Sequence, residues 1–370
     1  MMRARFRLLL LPALMTLIAC GGDDGTGFDD DDEDFEDDSF DVVTDRIGVP
    51  AQGTYYHGVF PGETLPGEES GITPADVASY EAAVGRQVAW VYFSHNWYEG
   101  RSFPLASATW IREGGSVPFI RLMLRSSEEQ DVAESTYTLQ RIIEGDFDDD
   151  LEAWGNAARD FASPLIVEWG TEMNGEWFSW NGVWNGGAGD GPSRFRQAYR
   201  HIHDQIHARG AQNITWVFHA DVQDAPEEPW NAFENYYPGS DVVDWIGFSD
   251  YGAATPLDDE WIVFAVGMDQ AVQRAAAMAP GKPVFVLEFG VTMGNPLGDA
   301  AEWADTAMND ILTDRWPSVR GFSWWNEWWE NDDDPSHNTD MRVQTVPGLP
   351  AVMQAHLVGN TKVLDRPILP

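Results

Sequence analysis

The stretch Pro164-Leu165-Ile166-Val167-Glu168-Trp169-Gly170-Thr171-Glu172-Met173-Asn174-Gly175-Glu176-Trp177-Phe178-Ser179-Trp180 carries the fold and the chemistry together. It opens as a short apolar run, Leu165 to Val167, entered through a proline, which is the pattern of a fully buried strand. It then spills into a loop holding carboxylates, an amide and tryptophans. A buried strand that ends in acids and indoles builds an active-site rim, because flat apolar faces hold ring-shaped ligands while acids move protons. The alternative is an ordinary strand end over core tryptophans. A second carboxylate of the same kind, Glu288, weighs against it.

Working outward, seven further apolar runs flank this one: Thr54 to Phe60, Gln87 to Phe93, Val117 to Leu122, Asn213 to Phe218, Val242 to Phe248, Val284 to Leu287 and Val319 to Trp325. Helical spacing recurs between them. Leu151, Trp154, Ala158 and Phe161 share one face, as do Phe195, Tyr199, Ile202 and Ile206, and then Phe264, Met268 and Val272. Strands alternating with helices predict a parallel sheet, and eight such units predict an α/β fold closed as a single (β/α)8 TIM barrel. A doubly wound open sheet is the alternative. It binds ligand at one switch point, whereas here nearly every run ends in polar or aromatic residues. No glycine-rich phosphate loop follows any run, so no nucleotide cofactor is expected.

The N-terminus reads differently. Arg3, Arg5 and Arg7 precede an apolar run, Leu8 to Ala19, that is too short to span a bilayer, and Cys20 closes it. This predicts a lipoprotein-type signal peptide over residues 1–20, with Cys20 as the lipidation site. Cys20 is the single cysteine, so an intrachain disulfide is excluded. Residues 21–49 are rich in glycine and aspartate and predict an acidic, disordered tether. The catalytic barrel is assigned to residues 50–370. The expected location is extracytoplasmic, with membrane contact only through the N-terminal anchor, and the expected state is a monomer.

The formal net charge is −39, and Lys282 and Lys362 are the only lysines. Such a surface repels nucleic acid and anionic lipid headgroups, leaving neutral ligands as the compatible partners. No cluster has convincing metal-ligand spacing, so no metal is expected.

A barrel sets all eight strand ends on one rim, where Glu172 and Glu288 can face each other. Two carboxylates flanking a bond are the requirement of glycoside hydrolysis: one protonates the leaving oxygen and the other attacks the anomeric carbon. Asn174 is a candidate hydrogen-bond donor, and Trp177, Trp180 and Trp325 are candidate stacking platforms. His95 and His219 each follow a run and are candidate substrate contacts, with a purely structural role as the alternative. His57, inside the first run, reads as packed and hydrogen-bonded. Asn326-Glu327 reads as a rim contact. Trp328 and Trp329 either extend the stacking groove or pack a final loop.

The segment Glu172 to Phe178 resembles the acid/base motif of glycoside hydrolase family 26, made largely of endo-β-mannanases with some mixed-linkage glucanases and β-1,3-xylanases. Gly210 to Val217 resembles that family's fifth strand. Tyr236-Tyr237-Pro238-Gly239, Val243 to Gly247 and Tyr251 resemble its sixth strand and the preceding loop, and Lys282 to Gly290 its nucleophile strand. The resemblance implies a retaining endo-glycosidase acting on a β-linked polysaccharide, with Glu172 as acid/base and Glu288 as nucleophile. It further implies that Tyr251 hydrogen-bonds the nucleophile, and that Trp177 and Trp325 line the site. Two positions depart from the family: Thr171 stands where histidine is common, and Glu168 where arginine is common. Both lie beside the cleaved sugar, so β-1,4-mannan leads while mixed-linkage β-glucan and β-1,3-xylan stay open. An acid in place of an arginine also reverses the local charge and can raise a neighbouring carboxyl's pKa. The reading from another class is a non-catalytic carbohydrate-binding lipoprotein.

Overall fold

Eight parallel strands close into a barrel in the computed structural model, which describes residues 42–62 and 69–370. They are β1 (Tyr56–Phe60), β2 (Trp90–Asn96), β3 (Val117–Met123), β4 (Leu165–Trp169), β5 (Ile214–Asp221), β6 (Trp245–Tyr251), β7 (Val284–Gly290) and β8 (Val319–Trp325), paired in chain order with β8 returning to β1. The connecting helices are α1 (Pro74–Val84), α2 (Leu105–Glu113), α3 (Leu139–Ile143), α4 (Asp148–Phe161), α5 (Gly187–Ala208), α6 (Phe264–Met278), α7 (Ala300–Leu312) and α8 (Leu349–Leu357). The predicted apolar faces of α4 and α5 are buried as expected. On α6, Phe264 and Met268 are buried, whereas Val272 is only partly so. One connection departs from the alternation. Between β5 and β6 there are only two short 3-10 turns, Pro229–Asn231 and Phe233–Tyr236. A small antiparallel pair, β9 (Trp328–Trp329) and β10 (Thr339–Asp340), folds over the end of β8.

The barrel interior is filled in two chemically different layers. The lower one is aromatic: Trp245 stacks on Phe285 at 3.9 Å, and Trp90 meets both at 6.3 and 5.9 Å. Trp90 fits because β1 carries Gly58 opposite it; a Cβ there would lie 2.2 Å from the indole. The layer above is polar. Tyr92, Arg121, Glu168, His219 and Ser249 come from β2 through β6, and all are buried. They hydrogen-bond or ion-pair with one another, because an unpaired polar group at this depth would cost about 1–3 kcal/mol.

Every strand from β2 to β7 except β3 runs two or three residues beyond its apolar run, and β3 runs one beyond. The polar ends, such as His95-Asn96, Glu168-Trp169 and Ser249-Asp250-Tyr251, remain in the ladder. Among them, Glu168, Ser249 and Tyr251 find side-chain partners in the polar layer and the cleft. The folded unit also begins before position 50. Ile47 is buried, Val43 N–H donates to the Gly210 carbonyl, and Arg46 bonds both carboxylate oxygens of Asp244 at 3.0 Å. At the other end, Tyr55 pairs with Val363 and Arg86 holds the carbonyls of Leu357 and Asn360. The segments predicted as signal peptide and acidic tether, with Cys20, lie outside the described residues apart from positions 42–49. Among the described residues, no helix is long and apolar enough to cross a membrane.

Candidate active site

A cleft of about 570 Å³ opens over the strand ends, lined by Glu172, Trp177, Phe178, Asp221, Tyr251, Glu288 and Trp325 among others. Glu172 follows β4 in a left-handed backbone conformation, φ 47°, which is uncommon for a residue with a side chain and concentrates at functional sites. It is held there by two bonds: its N–H donates to the His219 carbonyl at 2.8 Å, and its own carbonyl accepts from Gly175 N–H at 2.8 Å. The Trp177 indole N–H donates to Glu172 Oε2 at 2.8 Å. Gly175 permits this, since a Cβ there would lie 2.2 Å from the Trp177 ring.

Glu288 stands on β7 at an irregularity in the ladder. Phe248 pairs with Val286 and Ser249 with Glu288, so Leu287 is the extra residue, and such a bulge re-aims the side chain that follows. Tyr251 donates to Glu288 Oε2 at 2.9 Å, Tyr92 meets Oε1 at 3.0 Å, and Arg121 Nη2 lies 3.5 Å from Oε1. Burial pushes the Glu288 carboxyl up to about 7; Arg121 pulls it down and the Glu172 charge pushes it up again. Asp221, also in the cleft, is held well above the usual carboxylate range by burial and then by the charge of Glu172.

The remaining predicted residues fall in different places. Trp325 lines the cleft, stacked on Phe60 at 4.0 Å with its N–H on Glu327 Oε2. Trp180 does not line it. It is buried, stacks on Phe178 at 4.6 Å and donates to the Thr171 carbonyl, so it supports the platform from behind. Asn174 is fully buried and spends its amide on Asp221, Gln223 and Asp224, pinning the β4 and β5 loops together. His219 lies under the cleft floor, bonded to Glu168 Oε2 and Ser249 Oγ, each at 2.8 Å. Burial opposes its charge, yet Glu168 and then Glu288 and Glu172 hold its pKa above the ordinary value. His95 borders a separate recess with Gly100 and Ser102, away from the carboxylate pair. Trp180, Asn174 and His219 thus stand behind or beneath the cleft lining, and His95 lines the separate recess. His57 is packed and bonded to Tyr80 at 2.7 Å. Glu327 and Trp329 do reach the cleft, whereas Trp328 lies under Arg342.

Several cleft groups escape a sequence reading. Arg121 on β3 is in register with Glu168 on β4 and bonds Glu69 at 2.8 Å. Its signal was a charge inside an otherwise apolar run, the same signal Glu168 gives. Tyr92 alternates with Trp90 on one face of β2 and reads as core. Asp221 lies two residues past His219, on the same strand face. Glu168, His219 and Glu288 place ligand-type atoms within 4.8 Å of one another. Arg121 already supplies positive charge there and both His219 nitrogens have partners, so the cluster fits a hydrogen-bonded layer rather than a cation site.

The family model for glycosyl hydrolase family 26 matches residues 126–290, from the loop after β3 to the end of β7, and so takes in both Glu172 and Glu288. That match supports family 26 for this chain. Among curated proteins, the chain is similar to endoglucanase H of Acetivibrio thermocellus, 23% identical over 83% of this chain and 31% of that protein. It is also similar to a β-1,3-xylanase of a Vibrio species, 26% identical over 40% of this chain and 28% of the other. A mannan endo-1,4-β-mannosidase of Bacillus subtilis is 26% identical over 43% and 38%. The chain thus spans only about a third of the length of these curated relatives. Among solved structures, a modular endo-β-1,4-mannanase of Cellulomonas fimi superposes with a TM-score of 0.59 at 18% identity, covering 88% of this chain and 77% of that one. A family 26 β-mannanase of Bacteroides ovatus gives 0.57 at 15%, covering 84% and 90%. At these identities the likeness is one of fold.

Proposed function

We propose that this chain is a retaining endo-glycosidase hydrolysing a neutral β-linked polysaccharide, with β-1,4-mannan the first candidate. The observation that carries the reading is the pair Glu172 and Glu288, delivered from β4 and β7 into one cleft beside Trp177, Phe178 and Trp325. In the first step Glu172 gives its proton to the glycosidic oxygen while Glu288 Oε attacks the anomeric carbon. The glycosidic bond breaks and a glycosyl ester forms. In the second, Glu172 takes a proton from water, the water oxygen attacks the same carbon, and the ester is released as Glu288 carboxylate. Trp177 orients the Glu172 carboxyl, and Tyr251 orients Glu288. The first step needs Glu288 ionised and Glu172 protonated together, so protonation of the buried Glu288 should set the acid limb of kcat/KM.

A second group of substrates, mixed-linkage β-glucan and β-1,3-xylan, is favoured by the departures at Glu168 and Thr171 and by the similarity to an endoglucanase and a β-1,3-xylanase. The test is to offer linear mannan, lichenan and β-1,3-xylan in parallel, at several salt concentrations, with Glu288→Ala as control. Oligosaccharides from at least one, absent with the variant, are expected. Release from none by folded protein would overturn the enzyme reading in favour of a binding module. We also propose that Cys20 is lipidated; fatty-acid labelling of the expressed protein that persists in Cys20→Ala would contradict this.

A further inference from the structure

Tyr92 sits between two buried carboxylates with one hydrogen to offer. Its hydroxyl meets Glu168 Oε1 in a very short contact and Glu288 Oε1 at 3.0 Å. With both carboxylates ionised, one of these contacts would set the phenol oxygen against a bare anionic oxygen. The other donors around Glu168 decide which arrangement rests. Arg121 is drawn toward Glu69 at 2.8 Å, so its Nε stands 3.6 Å from Glu168 without a hydrogen bond, and its Nη2 stands 3.5 Å from Glu288. Glu168 therefore keeps His219 on Oε2 and depends on Tyr92 for Oε1. Glu288 then satisfies Oε1 by donating its own proton to the Tyr92 oxygen, while Oε2 accepts from Tyr251.

The geometry points to Tyr92 and Glu168 as a positioning pair that holds the proton on Glu288, the opposite of what Tyr251 does. This rests on the reading of Glu288 as nucleophile. When Glu288 ionises, its proton leaves to water in the cleft, and the Tyr92 hydrogen turns from Glu168 to Glu288. Glu168 is left with His219 and the distant Arg121. Ionisation thus loses two hydrogen bonds and gains one. The groups facing Glu288 are Tyr92 of β2, Arg121 of β3, Glu168 of β4 and Glu172 after it, His219 and Asp221 of β5, and Tyr251 of β6. Arg121 and His219 favour the anion, and the three other carboxyls oppose it. The consequence is an enzyme switched off in mild acid by its own nucleophile.

The experiment is a carbon-13 NMR titration of the full chain labelled at glutamate carboxyls, with the Glu288 signal assigned by its loss in Glu288→Gln. Tyr92→Phe and Glu168→Gln should each lower the Glu288 midpoint by about one pH unit, while Tyr251→Phe should raise it. The acid limb of kcat/KM should move the same way on whichever polysaccharide is cleaved. Tyr92→Phe removes only a hydroxyl, so it carries the test if Glu168→Gln fails to fold. A Tyr92→Phe midpoint that stays in place, or rises with Tyr251→Phe, overturns the proposal. Predicted titrations in a protein that cleaves nothing would instead sink the functional reading and leave the proton holder standing.

Discussion

Glu172 and Glu288 are distinguished by what holds them. Glu172 is fixed by a left-handed backbone and one indole hydrogen bond, whereas Glu288 lies among two phenols and a guanidinium. Their roles can be separated with a small external nucleophile. With an aryl β-glycoside of the cleaved sugar and azide, Glu288→Ala should yield the α-glycosyl azide and Glu172→Ala the β-glycosyl azide, identified by NMR. The same anomer from both would contradict the assignment. Asp250 makes a different point. No side chain bonds its buried carboxylate, and burial pushes its pKa up to about 8 from an ordinary 3.8, with the Met268 backbone pulling the other way. The folded protein therefore holds a proton that the unfolded chain releases, so stability falls as pH rises from about 4 toward 8. Asp250→Asn should leave Tm unchanged near pH 4 and raise it at pH 8; a pH-independent effect would refute this cause.

At the scale of elements, β8 matches its predicted bounds, while β2 to β7 run past the C-terminal ends of their apolar runs. The reason is physical. A pattern of apolar residues stops at the first polar side chain, but in this barrel the upper interior layer is polar and keeps its strands paired. That same rule hid Arg121 and Tyr92, whose meaning depends on partners from neighbouring strands that no local pattern contains. Glu172, Glu288, Tyr251, Trp177 and Trp325 were legible because each stands at or near a strand end within a quoted motif. Asn174, Trp180 and His219 were legible as site residues but not as supports, since burial beneath a loop leaves no local trace. The missing helix between β5 and β6 also follows from sequence in hindsight, through Pro226, Pro229 and Pro238 in that connection. The lower layer yields a prediction of its own. Gly58→Ala drives a methyl into Trp90 and should cost about 1–3 kcal/mol, read by denaturant unfolding. An unchanged midpoint would show that the aromatic layer yields freely.

For the whole molecule, a charge of −39 with few cations leaves net repulsion across the surface. Salt shortens the reach of that repulsion from about 30 Å at 0.01 M to about 3 Å at 1 M. Tm should therefore climb between those concentrations of sodium chloride, and a fall would mean that surface ion pairs such as Arg200–Asp241 and Arg315–Asp269 outweigh the excess of acids. The same excess reaches into the cleft, where Glu69, Asp221 and Glu327 join the central pair. A chain so charged suits uncharged polysaccharides. The proposed two-step reaction at Glu288 fixes the configuration of the sugar first released. Proton NMR of the polysaccharide digest, followed from the earliest minutes, should show the β-anomer appearing first and the α-anomer only later by mutarotation. An α-anomer formed first would contradict a covalent step at Glu288.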